Sequence, residues 1–172
     1  MSWLNFLAPL ATGFVRGFSA EWARPEPAAR PCFHPSRHDF PSLMFAYGQA
    51  AGLRPPKLHN RSVAFTVPVQ GVPYMVLFSA GPDCVIASAH SNLHFPGEVP
   101  RSVQIAMANI NRKDQSGCCY DQIEHDTGVS LCSMTKVDLH EFTQPVFERM
   151  LHQLTNRVAA LDRVLVQDGY GR

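Results

Sequence analysis

A chain of 172 residues has the length of one domain, and its 45% hydrophobic content is enough for a substantial core. Only 17% of residues are charged, the net charge is +1, and the basic residues are scattered, which argues against nucleic acid or an anionic membrane as partner. Five cysteines, an odd number in a chain too long and too cysteine-poor for a secreted disulfide scaffold, predict reduced thiols in a cytoplasmic protein, and no apolar run reaches the roughly 20 residues of a membrane span.

Residues 1–38 stand apart from the rest of the chain. Residues 3–15 are apolar, but no Lys or Arg precedes them and no small-x-small cleavage pattern comes after them, so a secretory leader is the weaker reading. The alternatives are a short amphipathic helix docking on the domain or a mobile tail. Pro25, Pro27, Pro31, Pro35 and Pro41 then make an irregular connector, because proline lacks the N–H and keeps the preceding residue out of helix.

A helix is expected from an Asp39 cap, with Phe40, Leu43, Met44, Tyr47 and Ala51 on one face. Gly52 supplies a left-handed stop and Pro55–Pro56 prevent resumption. Three strands come next. Val63, Phe65, Val67 and Val69 alternate with polar or small residues, and Pro68 implies that the strand lies at an edge or ends there. Gln70–Gly71 turn the chain into the continuously apolar stretch 74–78. A second turn at 79–83 leads to a strand over 84–89. The short turns imply an antiparallel meander.

A second helix starts behind Pro96, Gly97 and Pro100 and buries Val99, Val103, Ala106, Met107 and Ile110. Residues 118–124 and 129–134 form a hairpin. The last helix starts at a Thr143 cap with Pro145 in its first turn, and carries the stripe Phe147, Met150, Leu151, Leu154, Val158, Leu161 and Leu165. The expected organisation is an irregular segment 1–38, one α+β domain 39–166 and a tail 167–172. The domain is an antiparallel five-stranded sheet in the order α-β-β-β-α-β-β-α, with the helices mostly on one side.

Candidate chemistry is sparse. His34–His38 and His90–His94 have H-x₃-H spacing, but neither pair has the additional Cys or carboxylate ligands zinc needs, and both fall in loops. Cys118 and Cys119 are neighbours on a strand, point to opposite faces and cannot act together as a C-x-x-C pair. Cys132 lies on the partner strand of that hairpin. Glu124, His125 and Asp126 form a solvated tip. There is no nucleophile elbow, phosphate loop or dinucleotide fingerprint, and no cofactor is implied. A small thiol- or metal-using enzyme or ligand-binding protein would have to use Cys118, Cys119, Cys132, His90 and His94. The cluster Asn109–Asp114 reads as helix-end capping and dipole compensation. The back of that helix carries Arg101, Ile105, Ala108 and Arg112, an apolar strip rimmed by arginine and suited to a helix–helix interface.

The order of elements over residues 39–166 resembles the type III secretion chaperone-like fold, including the YbjN-like sensory-domain proteins. The stretch FPGEVPRSVQIAMANINRK looks like that family's proline-started second helix closing on an Asn–Arg pair, here Asn111–Arg112. CCYDQIEHDTGVSLC resembles the family's next hairpin, and FERMLHQLTNRVAALDRVL the closing helix. The doubled cysteine and Pro145 depart from the pattern. The resemblance implies a non-enzymatic protein-binding, chaperone or regulatory domain that pairs as a homodimer through the second helix at Arg101, Ile105, Ala108 and Arg112, and that takes an additional protein client. The chain is not strongly acidic, which favours a YbjN-like domain over a dedicated effector chaperone.

Overall fold

The computed structural model describes residues 39–59 and 62–170, apart from the His59 side chain. The expectations for residues 1–38, including the His34–His38 pair and Cys32, lie outside the described residues. Helix α1 spans Phe40–Ala50, with Pro41 in its first turn and Gly52 at φ +70 behind it. Its predicted face is the one that packs: Phe40 and Met44 are buried, and Leu43, Tyr47 and Ala51 lean on the same core.

Among the described residues the sheet has six strands rather than five. Strand β1 is the added one, Lys57–His59, extended after Pro55–Pro56 and paired with Ser62–Ala64. A strand of three residues is too short to leave a periodic signal to read. Strands β2 (Ser62–Val69) and β3 (Val72–Ala80) join through Gln70 and Gly71, at φ +52 and +82. Positive φ at both central residues gives a turn whose twist matches that of the strands. Pro68 faces Pro73 across this ladder. The ladder continues along β2 where β1 no longer covers its outer side, so Pro68 does fall on an uncovered stretch of edge.

Strand β4 runs Cys84–Phe95, six residues beyond the expected end at Ala89, so His90 and His94 are strand residues and not loop residues. The register shifts between them, a bulge that allows the polar run to stay in the sheet. Helix α2 is Arg101–Lys113, β5 Cys118–His125, β6 Gly128–Asp138 and α3 Gln144–Gln167, which starts behind Thr143 as expected. A single 3-10 turn, Leu139–Glu141, precedes α3. All pairings are antiparallel, in the order β1-β2-β3-β4-β6-β5.

The helices pack on one side of the sheet. There Phe65, Phe78, Phe142 and Phe147 interlock, with ring centroids 5.0 Å apart for Phe78–Phe147 and 5.4 Å for Phe65–Phe147. Such tilted and edge-on pairs add about 0.5–1.5 kcal/mol each beyond burial. Gly48 gives α1 its close approach: a Cβ there would stand 2.3 Å from the Phe65 ring, which is itself buried. A second cluster joins α2 to α3, with Val103 and Met107 meeting Leu131, Leu161 and Leu165.

A candidate protein interface

Helix α2 presents two faces, as its period demands. Val103, Ala106 and Met107 are buried, and Val99 is buried just before the helix begins. Arg101, Ile105, Ala108 and Arg112 lie on the opposite face and all four are exposed, Ile105 by 51%. Ile105 is the large apolar residue of this helix left in solvent. Arg112 is steadied by Asn109, whose Oδ1 accepts from its guanidinium at 3.0 Å.

The end of α2 is fastened to the sheet. Asn111 donates to the Tyr120 carbonyl at 2.8 Å and accepts from the Tyr120 N–H at 2.7 Å, so its amide pairs with β5 as a strand would. Asp114 accepts from the Ser116 N–H at 2.7 Å and from the Arg157 guanidinium. Burial pushes the Asp114 carboxyl upward, but the Ser116 bonds and Arg157 outweigh it and hold the pKa below the ordinary value. Arg157 also donates to Ser133 Oγ at 3.2 Å and stacks 4.7 Å above the Tyr120 ring. Its Nη2 is buried with no acceptor among the described residues. This network ties α2, α3 and the β5–β6 hairpin into one piece.

A second carboxylate fixes the bulge in β4. Asp162 of α3 is 6% exposed and accepts from Ser91 Oγ, from the Asn92 N–H at 3.0 Å and from Tyr74. Burial nonetheless holds its pKa above the usual carboxylate value. Neither Arg157 nor Asp162 stands out in the sequence as a functional residue. The signal was available: Asp162 follows Val158 by four positions and precedes Leu165 by three, inside an apolar stripe, and an acid there must find donors.

The thiols and histidines converge only in part: His90 stands beside Cys132 in register, whereas Cys118 and His94 lie elsewhere. Cys118 is buried toward the helices beside Thr135 in register, whereas Cys119 pairs with Met134 on the opposite face. Cys132 stands between His90 and Asp121 in register, but it is fully buried and burial pushes its thiol up to about 11, which keeps it protonated and unreactive. Burial lowers the pKa of His90, with a smaller push from His125. His94 bonds the Thr127 carbonyl at 2.9 Å. Glu124, His125 and Asp126 are exposed and line an open groove with Glu98 and Gly128. Asp138, His140 and Glu141 offer ligand atoms within 4.8 Å of one another, all on exposed side chains, a grouping common without a metal.

Among the described residues, the sheet face away from the helices is the other surface that no element covers. In register, Ala64, Leu77, Ser88, Met134 and Cys119 form one row across five strands. Met75 and Ile86 flank it, 45% and 40% exposed. Among the described residues no helix is long and apolar enough to cross a membrane.

No known protein-family profile matches the chain, and no curated protein matches it. Solved structures do. A chain of the ExsC–ExsE complex superposes with a TM-score of 0.58 at 14% identity, covering 75% of this chain and 95% of that one. A chain of the HopA1–SchA chaperone–effector complex gives 0.55 at 10% identity, over 74% and 95%. YbjN from E. coli gives 0.56 at 10% identity, over 81% and 97%. The element order, the antiparallel sheet and these superpositions together give the chain the type III secretion chaperone-like fold shared with YbjN.

Proposed function

We propose that the protein is a non-enzymatic, cytoplasmic binding domain of chaperone or regulatory type, which forms a homodimer through α2 and takes a further protein as client. The observation that carries this is the outward strip Arg101, Ile105, Ala108 and Arg112 on a helix whose other face is packed. An apolar centre with an arginine rim is the composition of an interface core and its border. A two-fold axis across α2 would bury the two Ile105 side chains against each other. The chaperone–effector complex among the structural neighbours supports a protein client.

The dimer is tested by size-exclusion chromatography with light scattering. The wild-type chain is expected to elute as a dimer and Ile105→Arg as a monomer with an unchanged circular dichroism spectrum. A wild-type chain that stays monomeric at every concentration would sink the dimer.

A further inference from the structure

The open sheet face departs from what a solvated face should carry. An antiparallel sheet with one wet side normally turns polar residues outward. Here the outward positions include Met75, Leu77, Ile86, Ile123 and Met134, with Met75 and Ile86 among the most exposed apolar side chains of the described residues. Charge enters this face at Asp121 on β5 and at Lys136 and Asp138 toward one end of β6, where Lys136 is the register partner of Ile86, while Met75, Leu77 and Met134 have small, polar or apolar register partners. The aromatic cluster on the helix side offers no comparable surface, because Phe65, Phe78, Phe142 and Phe147 are already enclosed.

The same chain holds apolar side chains to match. Residues 3–18 include Trp3, Phe6, Leu7, Leu10, Phe14 and Phe18, with Arg16 as their one charge. The described chain begins at Asp39, beside α1, whose Phe40 and Met44 share a core with Val63 and Phe65 of β2. The entry point therefore lies toward the β1–β2 side of the sheet, where the path from one face to the other is shortest. Residues 19–38 can span roughly 65 Å when extended, whereas six strands are only about 25 Å across. A tether of that kind presents the segment at an effective concentration on the order of millimolar, which a separate protein would not match.

We propose that the open sheet face is a docking surface for the chain's own apolar segment 3–18, so that any partner using this face must displace it. The assignment is separate from the α2 contact, which lies on the other side of the sheet.

The chain's two tryptophans, Trp3 and Trp22, both lie in the N-terminal region, so the segment can be read without a label. In the full-length Trp22→Phe chain, Trp3 emission is expected well to the blue of the urea-unfolded chain. It should shift red in both Met75→Asp and Ile86→Asp, exposed positions on different strands where the far-ultraviolet spectrum serves as the folding control. It should not change on dilution or in Ile105→Arg. A native emission as red as the unfolded chain overturns the proposal, as does a blue emission that survives both sheet substitutions. Loss of the blue shift on dilution assigns the segment to a second copy. A red shift in Ile105→Arg assigns it to α2, and a blue shift seen only with added phosphatidylcholine vesicles assigns it to a membrane; each of these also overturns it.

Discussion

Asp162 shows how much one side chain can be asked to do. It lies in an otherwise apolar stripe of α3 and supplies the acceptors that Ser91, Asn92 and Tyr74 need where the β4 ladder breaks. Because burial raises its pKa above the ordinary 3.8, the folded chain holds that proton more tightly than the unfolded chain. Its contribution to stability is therefore fully present below the unfolded value and is lost as pH rises through the folded one. Asp114 works in the opposite sense: its lowered pKa favours the fold above the unfolded value, and that benefit fades on acidification. The two are separated by a difference measurement. Urea unfolding of wild type and Asp162→Asn from acid to neutral pH should show wild type losing ground to the variant as pH climbs from about 3.8, then levelling. A difference curve that rises over that window would contradict the assignment.

Among the elements, α2 owes its position to its last turn. The paired bonds between Asn111 and the Tyr120 backbone hold the helix against β5, and replacing Asn111 by Ala would leave a half-buried N–H and C=O without them. A cost of about 1–3 kcal/mol is expected, read as a lower urea midpoint with an unchanged slope. The Tyr120 amide should also exchange with deuterium faster in the variant than in wild type; equal exchange in the two would show the clamp to be idle. Helix periodicity made both faces of α2 legible, since Val103 and Met107 could be told from Ile105 and Arg112 by position alone. The role of Asn111 was not legible, because its partner is decided by where β5 lands after the turn. The same limit explains β4. The run His90–His94 is polar and reads as loop, yet it stays in the sheet because a carboxylate some seventy positions later accepts from Ser91 and from the Asn92 N–H.

For the whole molecule, the sequence pattern carried the order of elements and the one-sided placement of helices, because each rests on local alternation or a 3.6-residue period. Which sheet face remains open, and which cysteines end up inside, depend on register and packing that no short window contains. Thiol access tests the global arrangement directly. Under native conditions at neutral pH, brief alkylation and mass spectrometry should find Cys84 and Cys119 modified, since both are partly exposed, and Cys118 and Cys132 spared. Burial raises the pKa of Cys118, Cys119 and Cys132, which slows those three further. Urea should equalise the four. Rapid native labelling of Cys132 would mean that the β5–β6 hairpin opens more readily than its packing suggests.

The Asn111 clamp also bears on how the protein behaves when crowded. A sheet grows sideways when a border strand offers a free row of amides and carbonyls to a neighbour. On one border that row is interrupted by a side-chain amide that already satisfies Tyr120. On the other, β1 is only three residues long, and beyond it Pro68 has no N–H to give. Lateral stacking into fibrils is thus discouraged at both margins of the described sheet, even though apolar side chains such as Met75 and Ile86 stay exposed on its face.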